Sequence, residues 1–217
     1  MLYQGLAYVM GFIALILCFV SLRMLFKNTW FMGFIRGTFG LSLLAAVSGL
    51  GLISWEFYQY NQASHDQEIA TLSITQKGNQ QYQVEVIEPL TAKAWTFNLA
   101  GDQWQLDARI IRWGRTGISS SFQPGYRLDR ISGRYYSLED ETNAPRTVHN
   151  FADSTWDSGI WKLLNEYKLL GWVDARYGSA TFVPLADGAI YSVSLSHTGL
   201  LAKPVNPAAT EAVERWN

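Results

Sequence analysis

Cysteine is almost absent from this 217-residue chain. The single cysteine, Cys18, lies inside a long apolar run near the N-terminus, so the polar remainder of the chain can form no internal disulfide. That excludes a disulfide-stapled scaffold, which needs several cysteines. It also excludes a thiol nucleophile or a redox dithiol as the basis of an activity in the polar part.

The sequence also lacks the motifs that carry common catalytic and metal chemistry. It has no G-x-S-x-G nucleophile turn and no glycine-rich phosphate loop. His65, His149 and His197 stand apart from one another, without the close His or Cys spacing of a zinc site. We therefore expect no metal, no cofactor and no enzymatic activity. A hydrolase cleft built from paired carboxylates remains an alternative.

Charge is scarce in the first 60 residues, which hold only Arg23, Lys27, Arg36 and Glu56. The remaining residues carry 14 basic and 17 acidic side chains, a net charge of −3. The chain therefore divides into an apolar segment, 1–60, and a polar domain large enough to bury a core. This composition excludes a polytopic transporter and a basic nucleic-acid binder, so we expect no nucleic-acid partner.

Two apolar runs in the first segment predict a transmembrane hairpin with spans at about 3–25 and 34–56. Each run is long enough to cross a hydrocarbon core of roughly 30 Å as an α-helix, the form that satisfies its own backbone in lipid. A cleaved signal peptide is disfavoured because no basic residue precedes the first run. The lipid bilayer is therefore an expected partner.

The orientation of the hairpin follows from Arg23, Lys27 and Arg36, which lie in or beside the connector between the spans. No acidic residue accompanies them, and the positive-inside rule then makes the connector cytoplasmic. Both termini and the polar domain would face the periplasm of a Gram-negative bacterium, with the hairpin in the inner membrane.

Small residues recur at spacings of three and four along both spans, which lets helix backbones approach closely in lipid. The recurring positions are Ala7, Gly11, Ala14 and Cys18 in the first span and Thr38, Ser42, Ala45 and Gly49 in the second. We expect these positions to pack the two helices together, or in part to dock on another membrane protein. Neither span carries a charge at its middle, so the chain alone is not expected to conduct or pump.

Beyond a polar tether at 61–68, the sequence predicts a β-rich α+β exported domain at 69–202, followed by a C-terminal tail at 203–217. Alternating apolar and polar residues bounded by turn residues indicate an antiparallel meander, sandwich or partly open barrel. The predicted strands are 69–75, 82–87, 94–99, 104–113, 126–131, 135–138, 147–151, 180–184 and 189–196. One amphipathic helix is predicted from Thr155 to Gly171, and Asp187-Gly188 is typical of a hairpin turn.

Arginine is concentrated in the middle of this domain. Six arginines and a single acid, Asp129, fall within 26 residues, with aromatic residues between them. The predicted binding residues are Trp104, Arg109, Arg112, Trp113, Tyr126, Arg127, Arg130, Arg134 and Tyr135. Arginine with aromatic residues favours an anionic ligand or a protein interface. The alternative is that the arginines pair with neighbouring acids such as Asp102, Asp107 and Asp129.

Four segments resemble a family of small inner-membrane proteins of Gram-negative proteobacteria. They are GDQWQLDARIIRW (101–113), YRLDRISGRYYSLE (126–139), APRTV (144–148) and YGSATFVPLADGAIYSVSLSHTGLLA (177–202). Members are often labelled cation/multidrug efflux pump or multidrug transporter. The resemblance implies an inner-membrane location, but two spans without intramembrane charge do not make an alternating-access carrier alone.

Together these features predict a non-enzymatic accessory protein of the inner membrane whose periplasmic domain binds a partner protein. Two other functions remain open at this point. The domain could bind an anionic small molecule or lipid headgroup, or several copies could assemble through their spans into a homo-oligomer.

Overall fold

The computed structural model describes residues 2–26, 30–64, 66–113, 123–151, 161, 173–180, 182–196 and 199–216. The chain divides into two compact units, one built on the two N-terminal helices and one on the β-rich residues that follow. The helices are α1 Leu2–Leu25, α2 Trp30–Tyr58, α3 Leu138–Asn143 and α4 Pro207–Trp216. The strands are β1 Asn61–Gln62, β2 Glu68–Gly78, β3 Gln81–Glu88, β4 Lys93–Ala100, β5 Gln103–Trp113, β6 Gly125–Arg134, β7 Val148–Asn150, β8 Val173–Ser179, β9 Val183–Pro184, β10 Ile190–Leu195 and β11 Leu200–Pro204.

The helices α1 and α2 pack against each other as a hairpin. The Ser21 hydroxyl donates to the Gly40 carbonyl at 3.1 Å, and the Ser54 hydroxyl donates to the Ala7 carbonyl at 2.8 Å. These two interhelical hydrogen bonds lie fourteen residues apart on each helix, so they fix one antiparallel register. Both helices are long and apolar enough to cross a membrane.

The face of α1 that packs on α2 is the one that the spacing of small residues predicts. Ala7, Ala14 and Ser21 are buried, while Gly11 and Cys18 between them are half-buried. Residues seven apart return to the same side of a helix, which keeps this narrow stripe against its neighbour. The positions predicted on α1 therefore lie on its face towards α2.

On α2, most of the predicted positions do not pack against α1, so of the two predicted roles only docking on another membrane protein remains for them. Thr38, Ser42 and Ala45 are exposed on α2, and Gly49 is only half-buried. Glycine forms the packing face instead: Gly40 is buried, and Gly33 and Gly37 are half-buried. Glycine allows the closest approach of two backbones, and the Ser21–Gly40 hydrogen bond uses that approach. The hydroxyls of Thr38 and Ser42 bond to carbonyls of their own helix, Phe34 and Thr38, at 2.9 Å each.

The β-rich unit consists of two antiparallel sheets, which confirms the predicted β-rich class. One sheet has the order β11-β10-β2-β3-β4, and the other is built on β6-β5-β8, with β7 beside β6 and β9 beside β5. Strands β2, β3 and β4 form the predicted meander, but β5 does not pair with β4 and instead belongs to the second sheet. The two sheets enclose a core of apolar side chains that includes Leu72, Val84, Leu106 and Val193.

Side chains close the gap between strand β4 of one sheet and the segment around β7 of the other. The amide of Ala100 donates to the Thr147 hydroxyl at 2.9 Å, and His149 Nε2 donates to the Asn98 carbonyl at 2.7 Å. The His149 ring also stacks on Phe97 at 5.3 Å between centroids. The arrangement is a sandwich with one edge partly closed, within the range of folds that the sequence predicts.

Several predicted elements differ from those observed. The strand predicted at 135–138 is wrong, because Ser137 caps α3 by accepting a hydrogen bond from the Asp140 amide. The Asp187-Gly188 turn forms, with a positive φ of 69° at Gly188, but it does not join a hairpin. It connects β9 with β10, which belong to different sheets. The amphipathic helix predicted between residues 155 and 171 lies outside the described residues, except for Trp161.

The tether and the tail carry more structure than the sequence indicates. Ala63 is fully buried, and strand β2 already begins at Glu68. At the other end, Lys203 and Pro204 complete β11, and the ten-residue helix α4 follows. Asn206 caps α4, since its side-chain oxygen accepts from the Ala209 amide at 3.1 Å.

Candidate functional site

Most of the predicted binding residues lie on the neighbouring strands β5 and β6. The two faces of β5 differ in chemistry, because side chains alternate along a strand. Trp104, Leu106, Ala108 and Ile110 point into the core between the sheets. The opposite face carries Asp107 and Arg109 among its residues, and these too are buried, at 2% and 9% exposure. Polar and charged groups on this face must therefore find partners within the protein.

A β-bulge provides these partners. Asp107 pairs with Arg130 and Ala108 pairs with Leu128, so Asp129 is an extra residue on β6. The extra residue lies between the pairs that Asp107 and Ala108 form with β6, while Arg109 pairs with Arg127 further along the strand. Arg109 Nε lies 2.7 Å from Asp129 Oδ1, and Arg130 Nε lies 2.6 Å from Asp107 Oδ2. The hydrogen bond to Asp107 is the main cause of a raised pKa of the Arg130 guanidinium.

The two ion pairs are not equally shielded from solvent. The Asp107 and Arg130 side chains are 3% and 58% exposed, whereas both members of the Arg109–Asp129 pair are nearly buried. The second oxygen of Asp107, Oδ1, is buried and has no hydrogen-bond partner. Asp107 thus depends on Arg130 for its charge-assisted bond.

The other arginines of the stretch point elsewhere. Arg112 donates to the Ser196 carbonyl at 2.9 Å, on the opposite side of the sheet from Arg109, as strand alternation predicts. The Arg134 guanidinium lies 4.5 Å from the centre of the Phe182 ring. Arg127 and Trp113 also have interaction partners. Among the described residues, the arginines therefore do not converge on a common pocket, and Arg109 and Arg130 pair with acids.

Three aromatic residues of the predicted site belong to the interior. Trp104 and Tyr126 are fully buried, and Tyr135 is 7% exposed. Trp104 packs beside Tyr191 with ring centroids 5.4 Å apart, and the Tyr135 hydroxyl donates to the Pro145 carbonyl at 3.3 Å. The assignment of these residues to a contact surface is therefore wrong. Inward-facing positions on strands β5 and β6 bury the two largest of them.

Burial also governs the tyrosine hydroxyls of this unit. Desolvation is the main cause of a raised pKa of Tyr126, and the charge of the buried Glu88 adds to it. Burial likewise raises the pKa of Tyr191 to about 12, and the Tyr191 hydroxyl donates to the Pro184 carbonyl at 3.0 Å. The Glu88 carboxylate accepts from the Thr91 hydroxyl. These groups are thus built to stay neutral or hydrogen-bonded inside the fold.

Two exposed large apolar side chains lie just beyond the predicted site. Tyr136 is 55% exposed and Leu138, the first residue of α3, is 83% exposed. They follow Arg134 at the end of β6. The Tyr136 amide donates to Asp102 Oδ2 at 2.9 Å, which holds this turn in place. Sequence reasoning missed Leu138 because it placed the residue in a strand, where an apolar residue predicts a buried position.

The basic residues on which the predicted orientation of the hairpin rests lie at its connector end. Arg23 lies two residues before the end of α1, and Arg36 lies in the second turn of α2. The Arg23 side chain is exposed and that of Arg36 is half-buried. Lys27 lies outside the described residues. No other charged residue occurs in the chain before Glu56.

No metal site is found in the part of the chain that the structure describes, since no group of three potential ligands comes together there. Of the three histidines, His149 is described, and its Nε2 forms a hydrogen bond with the Asn98 carbonyl. His65 and His197 lie outside the described residues. Comparisons with protein-family models, with curated proteins and with solved structures find no match for this chain.

Proposed function

We propose that this chain is a non-enzymatic accessory protein of the bacterial inner membrane. The hairpin anchors it, the connector is cytoplasmic, and both termini and the β-rich domain lie in the periplasm. The domain binds a partner protein. In line with the proteobacterial family that the chain resembles, it would work in the envelope, but as an accessory to other membrane proteins and not as a carrier by itself.

The exposure of apolar side chains around the hairpin is the observation that carries this proposal. Phe12, Leu15, Phe19 and Phe34 are each at least 66% exposed, although they lie in helices of high hydropathy. Only 17% of the apolar 18-residue stretch of α1 and 6% of that of α2 is buried. The core helix of a soluble protein would bury most of such a surface, whereas lipid tails cover it in a membrane.

The orientation rests on Arg23, Lys27 and Arg36 at the connector end and is tested with reporters. A phosphatase fused after Asn217 should be active only if exported, and a fluorescent reporter there should stay dark in the periplasm. Activity of a cytoplasmic reporter at Asn217 would overturn the orientation while leaving the anchor itself standing.

The partner surface that we assign to the domain is the turn carrying Tyr136 and Leu138. A large aromatic and a large aliphatic side chain, both mostly exposed and next to Arg134, are the residue types that dominate protein interfaces. Asp102 holds this turn by accepting from the Tyr136 amide, and the paired arginines of β5 and β6 belong to the sheet beside it. This surface replaces the one centred on Trp104 and Tyr126, which are buried.

Site-specific photo-crosslinking in living cells tests this surface. A crosslinking amino acid at position 136 or 138 should yield one defined adduct, and the same amino acid at the exposed Glu85 of β3 serves as the matched control. Absence of an adduct at both positions, or an equal adduct at position 85, would count against partner binding through this turn.

A second candidate function, a homo-oligomeric assembly, is favoured by the outward face of α2. Thr38, Ser42 and Ala45 face away from α1 and leave a flat surface of small side chains. Such faces let a second helix approach closely in lipid. The mass of the detergent-solubilised protein separates the two candidates, because an assembly that depends on this face should fall to single chains in Ala45→Leu.

A further inference from the structure

The two described arginines of the hairpin differ from those of β5 and β6 in having no protein partner. Among the described residues, neither Arg23 nor Arg36 forms an ion pair or a hydrogen bond through its side chain, whereas Arg109, Arg112 and Arg130 all do. A guanidinium at the edge of an apolar medium is costly to leave without a counter-charge. With the hairpin inserted as proposed, the lipid headgroups at this end are a nearby source of such a charge.

The register of the hairpin sets both arginines at nearly the same depth. The Ser21–Gly40 hydrogen bond joins the helices near the connector. At about 1.5 Å per residue, Arg23 lies roughly 3 Å beyond this join, and Arg36 lies roughly 6 Å beyond it on the other helix. The two interhelical hydrogen bonds of the hairpin are about 21 Å apart by the same rise. Both arginines thus lie near one end of a hydrocarbon layer roughly 30 Å thick, where headgroups begin.

Neither α1 nor α2 carries a carboxylate near this end. Glu56 is the first acid in the sequence, and it lies twenty residues after Arg36 within the same helix. That is roughly 30 Å along the axis, which is at the other end of the span. The aligned helix dipoles do not compensate both residues, since Arg36 lies near an N-terminus, where a positive charge is disfavoured.

We propose that the connector end of the hairpin binds the phosphate headgroups of anionic phospholipids through Arg23 and Arg36. The inference rests on the proposed insertion of the hairpin. Arg23 lies on the outer side of α1 and Arg36 nearer the groove between the helices, so each makes its own headgroup contact at a common depth. Arginine matches phosphate oxygens with two parallel donors, and clustered basic residues at this position recognise anionic lipid. The proposed lipid contact thus lies at the hairpin and is separate from the arginines of β5 and β6.

The full chain in mild detergent, titrated with phosphatidylglycerol and monitored by native mass spectrometry, tests this proposal. The double variant Arg23→Gln/Arg36→Gln should lose about 30-fold in affinity at low salt, and each single variant about fivefold. Arg146→Gln is the matched control, because Arg146 is an exposed arginine of the β-rich domain. It should bind phosphatidylglycerol like the unchanged chain, and all variants should bind phosphatidylcholine equally.

Two results would overturn the proposal. The first is equal phosphatidylglycerol affinity in the double variant and the unchanged chain. The second is an equal loss in Arg146→Gln, which would reveal a general effect of net charge. Resistance of the membrane-bound chain to alkaline carbonate extraction is measured in parallel. If the chain resists extraction but shows no lipid preference, only the lipid-binding proposal is contradicted. If carbonate releases the chain, the proposed membrane anchor is contradicted as well.

Discussion

The hairpin and the β-rich domain bury opposite kinds of side chain. Before Glu56, the buried residues described in the hairpin are small, such as Ala7, Ala14 and Ser21, and large ones such as Phe19 face outward; near the end of α2, Glu56 and Phe57 are buried. In the domain the pattern is reversed, and large residues such as Leu72 and Trp104 are buried at 0% exposure. One chain therefore follows two packing rules.

The difference supports the proposal that the two units fold in different solvents. Burying apolar area stabilises the domain in water by about 25 cal/mol per Å², and this term needs large side chains inside. In lipid, that term vanishes between helices, and close packing with interhelical hydrogen bonds takes its place. The Ser21–Gly40 and Ser54–Ala7 bonds of the hairpin match the second rule. Matched substitutions in the two units test this difference.

Removing a large side chain should have the largest effect, and only in the domain. Trp104→Ala should destabilise the β-rich domain by about 3–5 kcal/mol, because it opens a cavity beside Tyr191. Trp104→Phe should cost less, since the indole Nε1 has no hydrogen-bond partner to lose. Phe19→Ala, at a side chain that is 69% exposed, should leave the helix packing nearly unchanged. Hydrogen exchange of the full chain in detergent measures both units at once, and an equal effect of both changes would break the comparison.

High pH should have the next largest effect and should destabilise the β-rich domain more than the hairpin. The raised pKa of Tyr191, about 12 against 10.0, means that the folded state holds its proton more tightly than the unfolded state. That stabilisation is fully present below about pH 10 and is lost as the pH rises towards 12. The shift corresponds to roughly 3 kcal/mol, and the raised pKa of Tyr126 acts in the same direction. Alkaline titration followed by circular dichroism should show loss of β-structure before loss of helix, with a smaller alkaline loss in Tyr191→Phe.

The sequence predicts those parts of the molecule in which one pattern dominates. The long apolar runs predict α1 and α2, and alternation with turn residues predicts β2 to β6. The packing face of α2 could not be predicted in this way. Its glycines at 33, 37 and 40 and its small residues at 38, 42 and 45 have similar spacing, and only the partner helix decides between them.

The candidate site was harder to predict for a related reason. Arginine content indicates a charged surface, but the partners of Arg109 and Arg130 depend on the bulge at Asp129, which shifts the register of β6 by one residue. A shift of this kind has no reliable sequence signal. The aromatic residues between the arginines lie on inward-facing positions, and composition alone does not distinguish an aromatic residue in a core from one at an interface.

Charge removal should have an intermediate effect, again confined to the domain. Arg130→Gln leaves the buried Asp107 carboxylate without its one described ion-pair partner, so we expect a loss of about 1–3 kcal/mol. Asp107→Asn should cost less, since it also removes the charge. Arg23→Gln, which breaks no contact within the described chain, should leave stability in detergent unchanged. Thermal unfolding of the three variants checks this order, and a loss in Arg23→Gln as large as that in Arg130→Gln would contradict it.

The smallest loss of stability should occur in the hairpin. It should depend on whether a serine hydroxyl bonds to the other helix or to its own. Ser21→Ala removes the hydrogen bond to Gly40 on the other helix, and hydrogen bonds between membrane helices contribute about 0.6 kcal/mol on average. Ser42→Ala is the matched control, because its hydroxyl bonds to the Thr38 carbonyl of its own helix. Energy transfer between probes on α1 and α2 during denaturation measures the stability of the hairpin. It should show a loss of stability in Ser21→Ala alone. Equal behaviour of the two variants would mean that backbone proximity at Gly40, and not the hydroxyl, holds the hairpin together, which would make its packing rule depend on shape alone.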